Sequence, residues 1–408
     1  MQDDRRMLLK FSTYGFLKNL RFFEPFLYLF FLASGLSYLE IGTLISIREI
    51  SVLLLEIPTG IVADLTGRRR AMIAAFGAYI TSFSIFYLFS GFTLFIPAML
   101  LFAAGEAFRS GTHKAMIMTH LDAENMADKK VAYYGITRSA SRLGSAISAL
   151  LAGILVYLWQ GYNVIFAVSV IPYLLGMALM LTYPRELDGD LPERRLADLW
   201  SHVSDSFRQL IRRPGLLRMV VNAAIYDGFF KISKDYLSPM VELFAVSLPA
   251  LLFIETATQR TAILVGVVYF FVYLNSFVSS RKSAAVMHRV GNLPRALNLL
   301  FFTFAGLFLT AALFLYVDVL LLSIAAVFFF FSLYNLRKPL VVGYLGDRIA
   351  PQQRATLLST HNQLRSVAGM VIAPVLGFFA DRYGISAAFA AGCVLLFIAG
   401  AVLFIKEN

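Results

Sequence analysis

The chain has 408 residues, 59% of them hydrophobic and only 15% charged, where soluble proteins carry about a quarter. That composition argues against a large soluble helical domain, which would lack the polar surface to cover such a core; twelve membrane spans of roughly 20 apolar residues, with short loops, would use most of the length. A net charge of +11 would suggest nucleic acid for a soluble protein, but the basic residues sit mainly in alternate loops, the positive-inside pattern, and so report topology.

Met1 to Lys10 is polar and basic, and no small-residue cleavage site follows the first apolar run, so it reads as a cytoplasmic tail before an uncleaved helix. Spans are expected near 11–33, 41–64, 71–89, 95–118, 132–158, 162–183, 216–239, 261–280, 296–315, 318–341, 355–380 and 385–405. In the first, Lys18, Arg21 and Glu24 follow at i, i+3 spacing, so each neighbours the next. Pro25 cannot donate to the carbonyl of Arg21, which predicts a kink. The second span carries Arg48, Glu49 and Glu56. On the fourth, Glu106, Arg109 and His113 share a face; on the fifth, Arg138 and Arg142 do. The hydrophilic stretch 185–215 repeats Leu196, Leu199, Trp200, Val203, Phe207, Leu210 and Ile211 at helical spacing, an amphipathic helix expected on the cytoplasmic membrane surface. On the seventh span Asp227, Lys231 and Lys234 form a stripe beside Tyr226 and Asp235, and on the eleventh His361 and Arg365 share a face. The one cysteine, Cys393, lies in an apolar run, which excludes an intrachain disulfide or a cysteine metal cluster and predicts an inert, buried thiol.

An ionisable group inside a span is costly and normally faces a cavity and a partner. By residue counting, Arg21, Glu24, Arg48, Glu49, Glu106, Arg142, Asp227, Lys231 and Arg365 fall nearest the midplane. His113, Lys114, Arg337 and Lys338 fall near the cytoplasmic ends, where snorkelling to the interface suffices. The two halves correspond weakly: Arg138 matches His361, Arg142 matches Arg365, and His113-Lys114 matches Arg337-Lys338.

Between the second and third spans, Gly60-Ile61-Val62-Ala63-Asp64-Leu65-Thr66-Gly67-Arg68-Arg69-Arg70 resembles the signature loop of the major facilitator superfamily, G-x-x-x-D-x-x-G-R-[RK]-[RK]. Gly60 lets helices approach, Gly67 permits a tight turn, and Asp64 can cap or pair with a neighbour in one state and release it in another. The resemblance implies an all-α integral membrane fold of twelve transmembrane helices in two pseudo-symmetric six-helix bundles, 1–184 and 216–408, joined by the linker 185–215. It implies that Gly60, Asp64, Gly67 and Arg68 act as a conformational latch rather than a substrate site. It also implies a central cavity lined by spans one, four, seven and ten with two, five, eight and eleven, the set that carries the midplane charges. The loop after span eight, Arg281 to Arg295, lacks the Asp and the first Gly, so the latch would be one-sided. A lookalike, Gly377 to Gly384 around Asp381, is expected on the outer face as a packing and turn element. Gly144 to Gly153 has spaced glycines but not the Gly-Pro pair of the family's efflux motif.

The cavity set is richer in cations than anions, and arginine forks bind carboxylate and phosphate. The expected function is secondary active transport of a small polar, anionic or zwitterionic organic solute by alternating access, coupled to protons. Arg21, Arg142, Arg365, Tyr226 and Lys231 are expected to bind substrate, and the desolvated carboxylates Glu24, Glu106 and Asp227 to exchange protons. The alternative is proton-antiport efflux of amphipathic drugs, kept open by aromatics such as Phe22, Phe23, Tyr269 and Tyr334. Neither a nucleotide-binding loop, nor a His/Cys metal spacing, nor a catalytic constellation is visible, so no enzyme activity, cofactor, metal or nucleic-acid partner is expected. The expected setting is a monomer in the inner (plasma) membrane, multi-pass, with both termini cytoplasmic.

Overall fold

A computed structural model describes residues 2–126, 129–188, 212–347 and 354–406. The amphipathic helix expected in the linker lies, apart from the linker's two ends, outside the described residues. Among the described residues every regular element is helical. In chain order these are α1 (Gln2–Leu17), α2 (Leu27–Ala33), α3 (Tyr38–Thr66), α4 (Arg68–Leu88), α5 (Phe92–Arg109), α6 (Thr112–Ala123), α7 (Lys130–Trp159) and α8 (Val164–Leu181). They continue as α9 (Pro214–Ser233), α10 (Leu237–Ser247), α11 (Ala257–Arg281), the short α12 (Ser283–Val290), α13 (Leu293–Tyr316), α14 (Leu320–Asp347) and α15 (Arg354–Val402). Eight stretches among the described residues are long and apolar enough to cross a membrane, α5 with α6 counting as one. The last of them holds two helices on either side of Gly384, whose φ of +85° suits glycine and ends the first. The paired segments α1–α2 and α9–α10, and α3, have spanning length but carry internal charges, which brings the stretches of spanning length among the described residues to twelve.

Three expected spans are interrupted. The first unwinds after Leu17, eight residues before Pro25, and resumes as a short 3-10 turn at Glu24–Phe26. Pro25 has no N–H to give the carbonyl of Arg21, which accepts instead from Glu24 N at 3.0 Å. The preceding backbone tightens to i, i+3 bonds, Leu20 N donating to Leu17 O at 3.1 Å, and Asn19 Nδ2 covers the carbonyl of Gly15 at 2.7 Å. The fourth span breaks at Ser110-Gly111, where Gly111 takes the left-handed region at φ 74°. The seventh tightens to a 3-10 turn at Lys234–Tyr236, one turn ahead of Pro239.

The chain gathers into two compact units. The first comprises Met1–Ser34, Ile50–Leu196 and Ile254–Tyr273. Here α4 packs between α5 and α8, and α1 lies along α7. The approach of α1 to α7 depends on glycine: a Cβ on Gly144 would stand 2.5 Å from the carbonyl oxygen of Phe16. The core is aromatic, with Phe23, Phe30, Phe83, Phe86, Phe102 and Phe166 meeting edge to face or offset. Each such pair adds about 0.5–1.5 kcal/mol beyond its buried area.

The second unit comprises Gly35–Glu49, Ala197–Phe253 and Leu274–Asn408. It packs α9 on α15, and α13 on α14 and α15, around Met219, Val220, Leu297, Leu300 and Tyr344. The start of α3 joins this unit against α15, where Gly42 meets the backbone at Ala373 and Gly377 meets that of Tyr38. The first amides of a helix have no partner inside it; here all are covered. Ser37 and Glu40 form a reciprocal capping box, Ser37 N donating to Glu40 Oε2 at 2.8 Å and Glu40 N to Ser37 Oγ at 3.2 Å. Asp381 takes the two amides between them, Tyr38 N at 2.7 Å and Leu39 N at 2.8 Å. The lookalike motif around Asp381 therefore caps a helix, beyond the packing and turn expected of it.

Large apolar side chains such as Leu174, Leu175, Phe271, Leu313, Val394 and Ile398 are exposed on the outward faces, the surface that hydrocarbon covers.

Candidate functional site

The interruptions in α1–α2 and α5–α6 open the site. In the first unit, the end of α1, the α5–α6 break and α7 line an open cavity of about 360 Å³. Lys18 and Asn19 enter it from the unwound end of α1, and Arg109 from the last turn of α5. Gly111 turns the chain so that His113 and Lys114 enter from the first turn of α6. The other wall is one stripe of α7, with Arg138 and Arg142, four residues apart, alongside Thr137, Ser141 and Ser145. Five basic side chains thus line the cavity, and among the described residues no Asp or Glu does.

Several of these cations lie against rings. Lys18 Nζ lies 5.5 Å from the centroid of Tyr14, which stacks on His113 at 3.7 Å. Lys114 Nζ and Arg138 Cζ sit 5.8 and 5.9 Å from the centroid of Tyr134. Arg109 donates from Nε to Tyr79 Oη at 3.2 Å, and its Nη2 stands 3.9 Å from Glu106 Oε1, outside hydrogen-bonding range. A ring face attracts a cation by about 0.5–2 kcal/mol but removes none of its charge.

Of the residues singled out from sequence, Arg142 is on this wall. Arg21 is not: its Nη1 lies 4.0 Å from Glu24 Oε2, one turn along. Arg365, Tyr226, Lys231 and Asp227 belong to the second unit. There Lys231 Nζ sits 2.6 Å from both oxygens of Glu49, and Arg48 Nη2 is 2.9 Å from Glu49 Oε1. Glu49 is 1% exposed. Asp227 Oδ2 faces His361 Nε2 at 3.6 Å, with both residues buried. Tyr226 is wholly buried beneath the guanidinium of Arg337, 4.3 Å from ring centroid to Cζ. Arg337 is therefore not an interface anchor: it is 1% exposed and donates to Asn222 Oδ1 and Leu297 O. Counting residues from the helix end misled, because the buried ring of Tyr226 and the Asn222 amide hold the guanidinium inside the packed unit. His113, also expected as an anchor, is stacked on Tyr14 with its Nε2 3.2 Å from Tyr183 Oη.

In the signature loop, Gly67 has φ +97° and starts α4, and Asp188 from the turn after α8 caps that start, accepting from Arg69 N at 2.7 Å. A Cβ on Gly67 would stand 2.9 Å from the Asp188 carboxyl carbon. Arg68 donates to Thr119 Oγ1 at 2.7 Å and Arg69 to Tyr183 O at 3.0 Å. Gly60 has open space around its Cα, and Asp64, half-buried, makes no hydrogen bond or ion pair among the described residues.

Sequence reasoning placed Lys18, Arg109 and Arg138 only on helix faces and set Lys114 aside. The signal that marks the site is the spacing Tyr134, Arg138, Arg142 with Thr137, Ser141 and Ser145, which puts two guanidinium groups and a hydroxyl ladder on one side of α7.

The profile of the Major Facilitator Superfamily matches residues 11–373. An uncharacterized MFS-type transporter, YxaM of Bacillus subtilis (strain 168), is 19% identical over 379 residues, covering 92% of this chain and 89% of its own. Among solved structures, the nucleoside transporter NupG superposes with a TM-score of 0.76 at 13% identity, covering 98% of this chain and 99% of its own. The D-xylose–proton symporter does so at 0.72 and 12%, covering 98% and 97%, and the peptide transporter POT in complex with sulfate at 0.74 and 13%, covering 97% and 93%. At such identities the structures share the fold alone, while the profile spans most of the sequence: the chain belongs to the Major Facilitator Superfamily, and it is a multi-pass membrane transporter of small molecules, not an enzyme.

Proposed function

We propose that the chain carries a small organic anion by alternating access, in a proton-coupled cycle, and that the cavity between α1, the α5–α6 break and α7 is its anion-binding wall. The observation that carries this is the lining: Lys18, Arg109, Lys114, Arg138 and Arg142, with no carboxylate among the described lining residues. A cluster of like positive charges draws an anion to the wall, and a guanidinium fork meets carboxylate or phosphate with two parallel bonds. Arg142 keeps the role expected of it. Arg21, beside Glu24 in the first unit, and Arg365, Lys231 and Tyr226 in the second are kept as further proposed substrate contacts, Lys231 and Tyr226 being held in their own unit by Glu49 and Arg337.

The coupling follows from competition for Arg109. Glu106 lies 3.9 Å from that guanidinium, near enough to balance its charge and too far to bond it. An arriving anion competes with Glu106 for Arg109, and this competition is the proposed link between substrate and proton. Asp227 with His361 is a second exchangeable pair, faced by Arg365, Lys338 and Arg337; Glu24, held near Arg21, is the third carboxylate of the set. The loop with Gly60, Asp64, Gly67 and Arg68 serves as the latch, and the positive-inside pattern of the basic loops supports cytoplasmic termini. Efflux of amphipathic drugs requires a lightly charged aromatic cavity, which this lining supports less well.

The test is counterflow uptake in proteoliposomes with labelled organic anions, amino acids and amphipathic drugs. Anions should exchange, Arg142→Ala should abolish exchange, and Arg142→Lys should already weaken it, because a point charge does not replace a fork. Normal anion affinity in Arg142→Ala would end the proposal.

A further inference from the structure

We infer that Tyr79, on α4, is a positioning residue for anion recognition: its hydroxyl holds Nε of Arg109, so that the guanidinium meets a ligand with its terminal pair, Nη1 and Nη2. This rests on the anion-binding wall proposed above and adds to it a residue from a helix that supplies none of the described lining.

A long arginine side chain loses rotamer freedom when it is fixed on a ligand, and that loss costs affinity unless the group is held beforehand. Arg109 ends the last turn of α5, directly before the break at Ser110-Gly111, where no further turn of its own helix supports it. Tyr79 supplies the support from outside. Arg109 Nε donates to Tyr79 Oη at 3.2 Å. Tyr79 is 1% exposed, and its ring meets Phe102 of α5 and Tyr173 of α8 edge to face, with 5.1 Å between centroids in each pair. Packing among three helices therefore sets where the hydroxyl stands, whatever the arginine does.

A glycine admits the ring. Gly105 lies four residues before Arg109, on the same side of α5. A Cβ on it would stand 2.9 Å from Cδ2 and 3.0 Å from Cε2 of Tyr79. The ring thus lies against bare backbone and reaches the guanidinium one turn further on. Tyr79 belongs to the third span, outside the set expected to line the cavity, and the contact joins residues 30 positions apart.

A guanidinium can receive carboxylate or phosphate along either of two edges, Nε with Nη2 or Nη1 with Nη2. With Nε given to Tyr79, the terminal edge remains. Tyr14, Tyr173 and Glu106 also face the group, and Glu106 Oε1 stands 3.9 Å from Nη2, too far to bond it. An edge fixed before the ligand arrives loses less freedom on binding than a mobile one.

The experiment uses the full-length protein in detergent, titrated with inorganic phosphate, glycerol 3-phosphate, succinate and gluconate, with affinity read from the rise in thermal midpoint. For the anion that wild type binds best, Tyr79→Phe should weaken binding about tenfold, the worth of one hydrogen bond. Arg109→Met removes the group being held, and in that background Tyr79→Phe should change affinity by less than about twofold. A tyrosine that only supports the fold would lower the ligand-free midpoint in both backgrounds and leave affinity alone. Wild-type affinity in Tyr79→Phe, or equal losses in both backgrounds, overturns the inference and leaves the anion-binding wall standing. If Arg109→Met binds too weakly to titrate, counterflow decides: Tyr79→Phe should raise KM at an unchanged maximal rate, and a lower maximal rate at unchanged KM overturns the inference. If none of the four anions shifts the wild-type midpoint, and Arg142→Ala changes nothing in counterflow, the wall itself is refuted and the assignment of Tyr79 falls with it.

Discussion

Glu49 offers the most quantitative check on the second unit. Its carboxylate is 1% exposed and receives Lys231 at 2.6 Å on both oxygens and Arg48 at 2.9 Å. Glu49→Gln keeps the shape and removes the charge, leaving two cations on facing helices without their shared counter-ion. Deleting one partner of a buried pair costs about 3–5 kcal/mol, most of it from the charge left behind. Lys231 is 27% exposed and Arg48 13%, so water reaches both and the loss should lie near the lower end, about 3 kcal/mol. Lys231→Met leaves Arg48 on Glu49 and should cost less, about 1.5 kcal/mol, the worth of a charged hydrogen bond. With both changes one excess cation is gone, so the double variant should be more stable than the sum of the singles predicts. Denaturant and thermal unfolding of the detergent-purified proteins, ranked against wild type, measure this. Additive effects, or a Glu49→Gln midpoint equal to wild type, would refute the shared-counter-ion account and return Lys231 to the pool of substrate ligands.

Other predictions concern transport. Asp64 has no partner among the described residues, so Asp64→Asn should leave folding and insertion intact while slowing transport severely; wild-type rates would remove the loop from the latch role. Glu106→Gln should flatten the pH dependence of anion uptake yet retain substrate exchange, and an unchanged pH profile would shift coupling to Asp227 with His361. Reporters fused within 186–213 and within 245–257 should read cytoplasmic and extracytoplasmic respectively, and the reverse would overturn the assigned orientation.

The spans were legible because hydropathy over some twenty residues is a property of the segment itself, and Gly384 ended one of them where the apolar run was expected to divide. The breaks after Leu17 and at Ser110-Gly111 were less so. Their hydropathy gives no break point: the first lies eight residues before Pro25, and the second falls at a left-handed glycine. Those breaks decide which way Lys18, Arg109 and Lys114 point, so the cavity could not be assembled by spacing on unbroken helices. Arg142 lies on the uninterrupted α7, so spacing alone places it on one side of that helix with Arg138. Glu49 was visible as a charge, but its pairing with Lys231 spans 182 positions and exists only through packing. Arg337 shows the opposite error: nearness to a helix end says nothing of depth when an aromatic ring and an asparagine draw the group inward.

The cap on α3 has a consequence for amide exchange with solvent. Amides in the first turn of a helix ordinarily exchange quickly, since fraying of the terminus exposes them. The amides of Tyr38 and Leu39 are held by Asp381, some 340 residues further along the chain. Their exchange with deuterium is thus set by the separation of α15 from the start of α3 and not by local fraying. Glu40 N, bonded to Ser37 within the same turn, is an internal control immediately after them in the sequence. Deuterium uptake at the first two relative to the third would follow the opening of this end of the helices in the unmodified protein, and Asp381→Ala would set the value for a permanently open cap.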